Sequence, residues 1–156
     1  MKRLLLLVAL LLPGCSQDPA EGTVKAFVAY LESGSGTEAW NLLTPETHAV
    51  YDSTVAVLQR FGYEESRLAL DSLAGGLTPE EFAELSGLDL FLRMAAENPE
   101  CATLSGRVRS VEHVSEARAV VVVSTSMGPQ EVCVELREGR WLLDLTTLTP
   151  PAETGR

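Results

Sequence analysis

Apolar residues recur at helical spacing between Thr23 and Asn98, and strand-like alternation replaces that period after Cys101. Val24, Phe27, Val28 and Leu31 fall at i, i+3, i+4 and i+7, the apolar stripe of a helix over 23–32 that Gly34-Ser35-Gly36 stops. A short helix over 38–43 carries Ala39, Trp40, Leu42 and Leu43. Thr44-Pro45 opens a longer helix. Threonine is a good N-cap, and proline suits the first helical position because its missing N–H has no intrahelical partner there. The stripe of this helix runs through Val50, Tyr51, Thr54, Val55, Leu58 and Phe61 to a stop at Gly62. A fourth helix, over 64–73, ends at Gly75-Gly76. Thr78-Pro79-Glu80-Glu81 combines cap, proline and capping-box glutamate ahead of Phe82 and Leu85. A break at Ser86-Gly87 precedes a last helix with Leu88, Phe91, Leu92 and Ala95, closed by Asn98-Pro99.

Four strands follow. Segment 107–114 is extended, and its alternation breaks near Ser110, as a bulge would make it. Segment 117–126 holds Val120-Val121-Val122-Val123, a β-branched run that reads as buried on both faces. Met127-Gly128-Pro129 turns the chain into 130–137, where Val132, Val134 and Leu136 alternate with Glu131, Cys133, Glu135 and Arg137. Glu138-Gly139 is a tight hairpin leading to 140–147. There Trp141, Leu143 and Leu145 share one face and Asp144 takes the other. Helices segregated from strands indicate an α+β domain. The helices belong on one face of a four-stranded antiparallel meander, because the third strand keeps a polar face.

The N-terminus follows neither period. Met1-Lys2-Arg3 precedes an unbroken apolar run from Leu4 to Leu12, then Pro13-Gly14-Cys15. A charged start, a short apolar run and small residues describe a secretion signal. As a helix the run rises about 14 Å, well short of the roughly 30 Å hydrocarbon core of a bilayer. A buried N-terminal helix is the other reading, but it would carry polar residues along one face. The chain thus divides into a signal over 1–14, a polar tether over 15–22, a single domain over 23–148 and a disordered tail over 149–156. Loss of the signal leaves 142 of the 156 residues and moves the formal charge from −10 to −12, because Lys2 and Arg3 leave with it. The acidity sits in the helical half: 15 acids against 4 bases from Cys15 to Glu100, and 7 against 6 from Cys101 onward. This balance argues against nucleic acid and anionic lipid surfaces as partners. It suits a solvated face, or a docking face for a basic partner or cationic ligand.

Leu12-Pro13-Gly14-Cys15 resembles the lipobox of bacterial lipoproteins, with Pro13 in place of the usual small residue. The resemblance implies cleavage before Cys15, acylation of its thiol and amine, and anchoring to a membrane leaflet on the periplasmic side. Several acyl chains anchor firmly where one does not. Ser16 follows the cysteine, where that family uses Asp for inner-membrane retention, so the outer membrane is expected. An ordinary signal-peptidase site is the alternative. With Cys15 acylated, Cys101 and Cys133 remain. In an exported protein they read most simply as a disulfide, closing a loop of about 33 residues worth roughly 3–4 kcal/mol in chain entropy. Two buried free thiols are the other reading.

The domain resembles the cone-shaped, cystatin-like α+β fold of nuclear transport factor 2, ketosteroid isomerase and scytalone dehydratase. It looks most like the small bacterial lipoproteins that carry this fold. The residues behind the resemblance are Val24-x-x-Phe27-Val28-x-x-Leu31, Ala39-Trp40-Asn41-Leu42-Leu43-Thr44-Pro45 and Gly139-Arg140-Trp141-Leu142-Leu143-Asp144-Leu145. It spans residues 20–147, with the helical stretch over 77–93 added to the shortest members. The resemblance implies a curved sheet wrapped around a pocket closed by helices. The fold hosts enzymes, binding proteins and oligomerisation modules, homodimers through the sheet face among them.

Candidate chemistry is sparse. His48 and Asp52 stand four apart on one helix, as a general base and its orienting carboxylate would, with Tyr51 beside them. The plain reading is a solvated surface pair. Asp144 is the lone acid within an apolar strand, on its outer face. His48 and His113 lie 65 positions apart, and no metal-ligand spacing surrounds either. No cofactor motif occurs. The expectation is a membrane-tethered lipoprotein whose domain binds an apolar ligand or a protein partner without catalysis. The alternative is an isomerase- or dehydratase-like enzyme using Tyr51 with His48 or Asp52.

Overall fold

The computed structural model describes residues 18–97, 107–125 and 128–149. The expected signal, Cys15, Cys101 and the expected tail from Pro150 lie outside the described residues. Helices α1 (Pro19–Glu32), α2 (Gly36–Trp40), α3 (Pro45–Phe61), α4 (Tyr63–Ala74), α5 (Pro79–Ala83) and α6 (Gly87–Glu97) come first. Strands β1 (Arg107–Ser115), β2 (Arg118–Thr125), β3 (Gly128–Arg137) and β4 (Arg140–Thr149) follow. They form an open antiparallel meander in the order β1-β2-β3-β4. The architecture is the α+β arrangement that the two periodicities predict.

The punctuation works as expected at most ends. Thr44 caps α3 by accepting from the Thr47 N–H, and Gly62 stops it at φ 94°. Thr78 and Glu81 close a reciprocal capping box on α5. Ser86 and Asp89 do the same for α6, with Ser86 Oγ accepting from the Asp89 N–H and Asp89 Oδ2 from the Ser86 N–H. Glu138 and Gly139 turn the last hairpin with φ of 50° and 78°. The start of α1 differs. The helix reaches back to Pro19, so 19–22 is helical rather than tether. Asp18 is the reason: its Oδ1 accepts from Ala20 N at 2.9 Å, and proline occupies the first helical position.

The helices cover one face of the sheet, through α1 against β1, β2 and β4 and through α3 against β4. Val121 and Val123 are fully buried on that face, whereas Val120 and Val122 are only half-buried. The valine run is therefore not buried on both sides as expected, because no described helix lies across the outer face. Beside Ser110 the register slips between Val108↔Val123 and Ser110↔Val122, a bulge where the broken alternation predicts one.

Two apolar clusters hold the layers. One joins the sheet to α1, α2 and Phe91 of α6. The other lies among the helices and the loops joining them, and centres on Val55, Leu70, Phe82 and Leu90. Tyr51 of α3 packs against both.

Candidate functional site

A groove of about 480 Å³ opens where the two clusters meet. From α3 it takes Thr47, Val50, Tyr51 and Thr54, from α4 Leu73, and from α6 Leu90 and Met94. The far wall is Leu145, Thr146 and Leu148 of β4. Its size falls within the range of small-molecule sites, and its lining is mostly aliphatic.

The wall on β4 exists because the strand bulges. Cys133 pairs with Asp144 but Glu131 pairs with Thr149, so two steps along β3 match five along β4. Asp144 turns the chain: its Oδ1 accepts from Thr146 N at 3.0 Å and from Thr146 Oγ1 at 2.6 Å. Thr147 Oγ1 donates to the Asp144 carbonyl and accepts from Cys133 N at 3.1 Å, which replaces the lost ladder bond. Thr47, 1 % exposed, ties the bulge to α3 by accepting from Leu145 N at 3.0 Å. A bulge re-aims side chains. Here it breaks the expected alternation after Leu143, so that Leu145, Thr146 and Leu148 all reach the groove. Upstream, Leu43 bridges Leu143 in parallel, with Thr44 N donating to the Leu143 carbonyl and Leu143 N to the Leu42 carbonyl. That bridge holds the start of α3 against the edge strand.

Tyr51 is fixed by edge-on contacts with Trp40 at 5.6 Å and Phe91 at 5.5 Å. Burial pushes its phenol above the ordinary value of 10.0, so it stays protonated. Of the three candidate residues on α3 it alone lines the groove. His48 stacks on Trp40 at 4.0 Å, nearly parallel, and its Nε2–H donates to the Trp40 carbonyl at 2.9 Å. Asp52 is exposed and packs beside Gly87, where a Cβ would come within 2.8 Å of the Asp52 nitrogen. That close approach of α3 and α6 explains the glycine. His48 and Asp52 make no hydrogen bond to each other, and neither reaches the groove. His48 and Asp52 are thus engaged separately, and the His48 ring lies half-buried against Trp40.

Asp144 pairs across to Cys133 on the outer face, as alternation predicts. Cys133 is 9 % exposed, and Arg118 Nη2 donates to its Sγ at 3.3 Å. Its expected disulfide partner, Cys101, lies outside the described residues. His113 lies at the far side of the sheet, where its Nε2 bonds Asp18 Oδ2 at 2.6 Å. Among the described residues no group of three His, Cys, Asp or Glu side chains is placed to hold a metal ion. No helix among them is long and apolar enough to cross a membrane.

No family model matches the chain, and neither a curated protein nor a solved structure matches it. The geometry therefore carries the functional reading by itself. Sequence reasoning singled out Tyr51 but missed Thr47, Leu145 and Thr146. No local pattern marks them, because the tie between Thr47 and Leu145 joins residues 98 positions apart.

Proposed function

We propose that this protein is a bacterial lipoprotein, acylated at Cys15 and anchored on the periplasmic side of the envelope, at the outer membrane. Its domain binds an apolar small molecule in the groove between α3, α6 and β4. The carrying observation is that groove: about 480 Å³, mostly aliphatic, with Tyr51 the sole titratable side chain lining it among the described residues. General acid–base chemistry needs at least one group that takes up and gives back a proton near neutral pH. A phenol held above 10.0 does not do so, which favours binding over an isomerase- or dehydratase-like reaction. The order of helices then meander supports the resemblance to the nuclear-transport-factor-2-like lipoproteins.

Two experiments test this reading. Cells expressing the full chain are labelled with radioactive palmitate and fractionated. Label should follow the protein into the outer membrane, and Cys15→Ser should lose both label and membrane association. Unlabelled wild-type protein would refute the anchor. For the groove, Val50→Trp places an indole over the opening from a residue that is 50 % exposed, so the fold is spared. It should abolish binding of the uncharged dye phenylnaphthylamine, and unchanged binding would refute the site.

A further inference from the structure

Among the described residues the groove's lining is uncharged: neither an acidic nor a basic side chain of them lines it, in a domain whose helical half is strongly acidic. Its threonine hydroxyls are already engaged. Thr54 Oγ1 donates to the Val50 carbonyl at 2.8 Å, Thr146 Oγ1 donates to Asp144, and Thr47 Oγ1 holds Leu145 N. The Thr47 N–H, in the first turn of α3, is taken by Thr44 Oγ1 at 3.3 Å. What remains is Tyr51 Oη, which makes no hydrogen bond among the described residues. The Asp144 carboxylate stands immediately behind Thr146, adding a cost for any anion.

We infer that the groove selects an uncharged apolar molecule bearing one hydrogen-bond acceptor, which Tyr51 Oη receives. This deepens the binding reading above and rests on it. A charged headgroup buried against this wall would lose its water and gain no charged partner among the described residues, so an anionic amphiphile binds there more weakly than an uncharged molecule of the same shape. A ketone, ester or ether oxygen would satisfy the phenol, a group costly to bury unpaired.

The test titrates the full chain with two dyes sharing one ring system: uncharged phenylnaphthylamine and anionic anilinonaphthalene sulfonate. The groove's share of each signal is the part that Val50→Trp removes. The uncharged dye should bind there about tenfold more tightly or better. Equal or tighter binding of the sulfonate would overturn the charge selection and leave the groove reading standing. If Val50→Trp removes neither signal, the groove reading falls and this inference with it. Tyr51→Phe keeps the ring and its packing, and addresses the donor. It should weaken binding of the ketone dye prodan by about three- to tenfold. Phenylnaphthylamine, which offers no carbonyl, should change by less than about twofold. Prodan binding unmoved by Tyr51→Phe would overturn the donor role.

Discussion

The two apolar clusters are built differently, and the groove is a consequence. In the sheet cluster every member is 2 % exposed or less, because helices lie on a broad surface of valines and leucines. In the helical cluster exposure rises to 7 % at Leu85, and the nearby helices leave Phe61 67 % and Leu68 78 % exposed. Ladder hydrogen bonds organise the first. In the second, side chains tie backbone ends together: Tyr63 Oη donates to the Leu77 carbonyl at 2.6 Å, Ser66 Oγ to Leu58 at 2.9 Å, and Gln59 Nε2 to Phe82 at 3.1 Å. A sheet and a small helix bundle do not share one surface, so they meet at a seam. Tyr51 bridges the inner part of that seam, and the outer part stays open as the groove.

If the sheet cluster carries global stability, the largest loss should come from Phe91→Ala. Phe91 is fully buried and touches Phe27, Trp40 and Tyr51. Truncation should cost about 3–5 kcal/mol in urea unfolding. A loss below about 1 kcal/mol would mean that this cluster is not the centre of the fold.

Leu70→Ala attacks the helical cluster and should cost about 2–4 kcal/mol. Hydrogen exchange sharpens the comparison. Amides of α4 and α5 should exchange faster in this variant while those of β2 and β3 keep most of their protection, because local opening precedes global unfolding. Uniform loss of protection would show one cooperative core instead of two.

Thr47→Val acts at the seam. It keeps the side chain's shape but leaves Leu145 N without its acceptor, at an expected cost of about 1–3 kcal/mol by thermal unfolding. Its effect on dye binding should exceed that of a variant distant from the bulge. An unchanged melting temperature would show that the bulge does not depend on this tie.

The smallest effect lies at the far end of the sheet cluster. His113, bonding to the Asp18 carboxylate, holds the latter's pKa below the ordinary 3.8, helped by the α1 N–H groups. A depressed carboxylate pKa contributes stability that is present above 3.8 and lost as pH falls through the lower folded value. Asp18→Ala should therefore cost about 1 kcal/mol at neutral pH. The gap between variant and wild type should close below pH 3.8. A gap that persisted into stronger acid would contradict the role of the ionised carboxylate.

Local chemistry made much of this fold legible. Thr44-Pro45, Thr78-x-x-Glu81, Gly62, Gly75 and Glu138-Gly139 each act within a few residues of themselves, so their outcome follows from composition. The bulge beside Ser110 was visible because it disturbs a regular alternation. The β4 bulge was not visible, since Trp141, Leu143 and Leu145 alternate cleanly in the sequence while the register slips between Asp144 and Thr149. What makes it depart is Thr47, 98 positions away from Leu145, a tie that no local pattern encodes. The half-exposure of Val120 and Val122 was hidden for a related reason: burial of a strand's second face depends on whether another element arrives. His48 and Asp52 had the spacing of a pair, but Trp40 from α2 and Gly87 from α6 engage them separately.

The most direct measurement of the central claim is a methyl-resolved NMR titration of the full chain with phenylnaphthylamine. Leu73, Leu90, Met94, Leu145 and Leu148 should shift together along one saturating curve, while Val120, Val122 and Leu142 on the outer sheet face stay still. Shifts confined to the outer face, or none on either, would contradict a binding groove at the seam of the two cores.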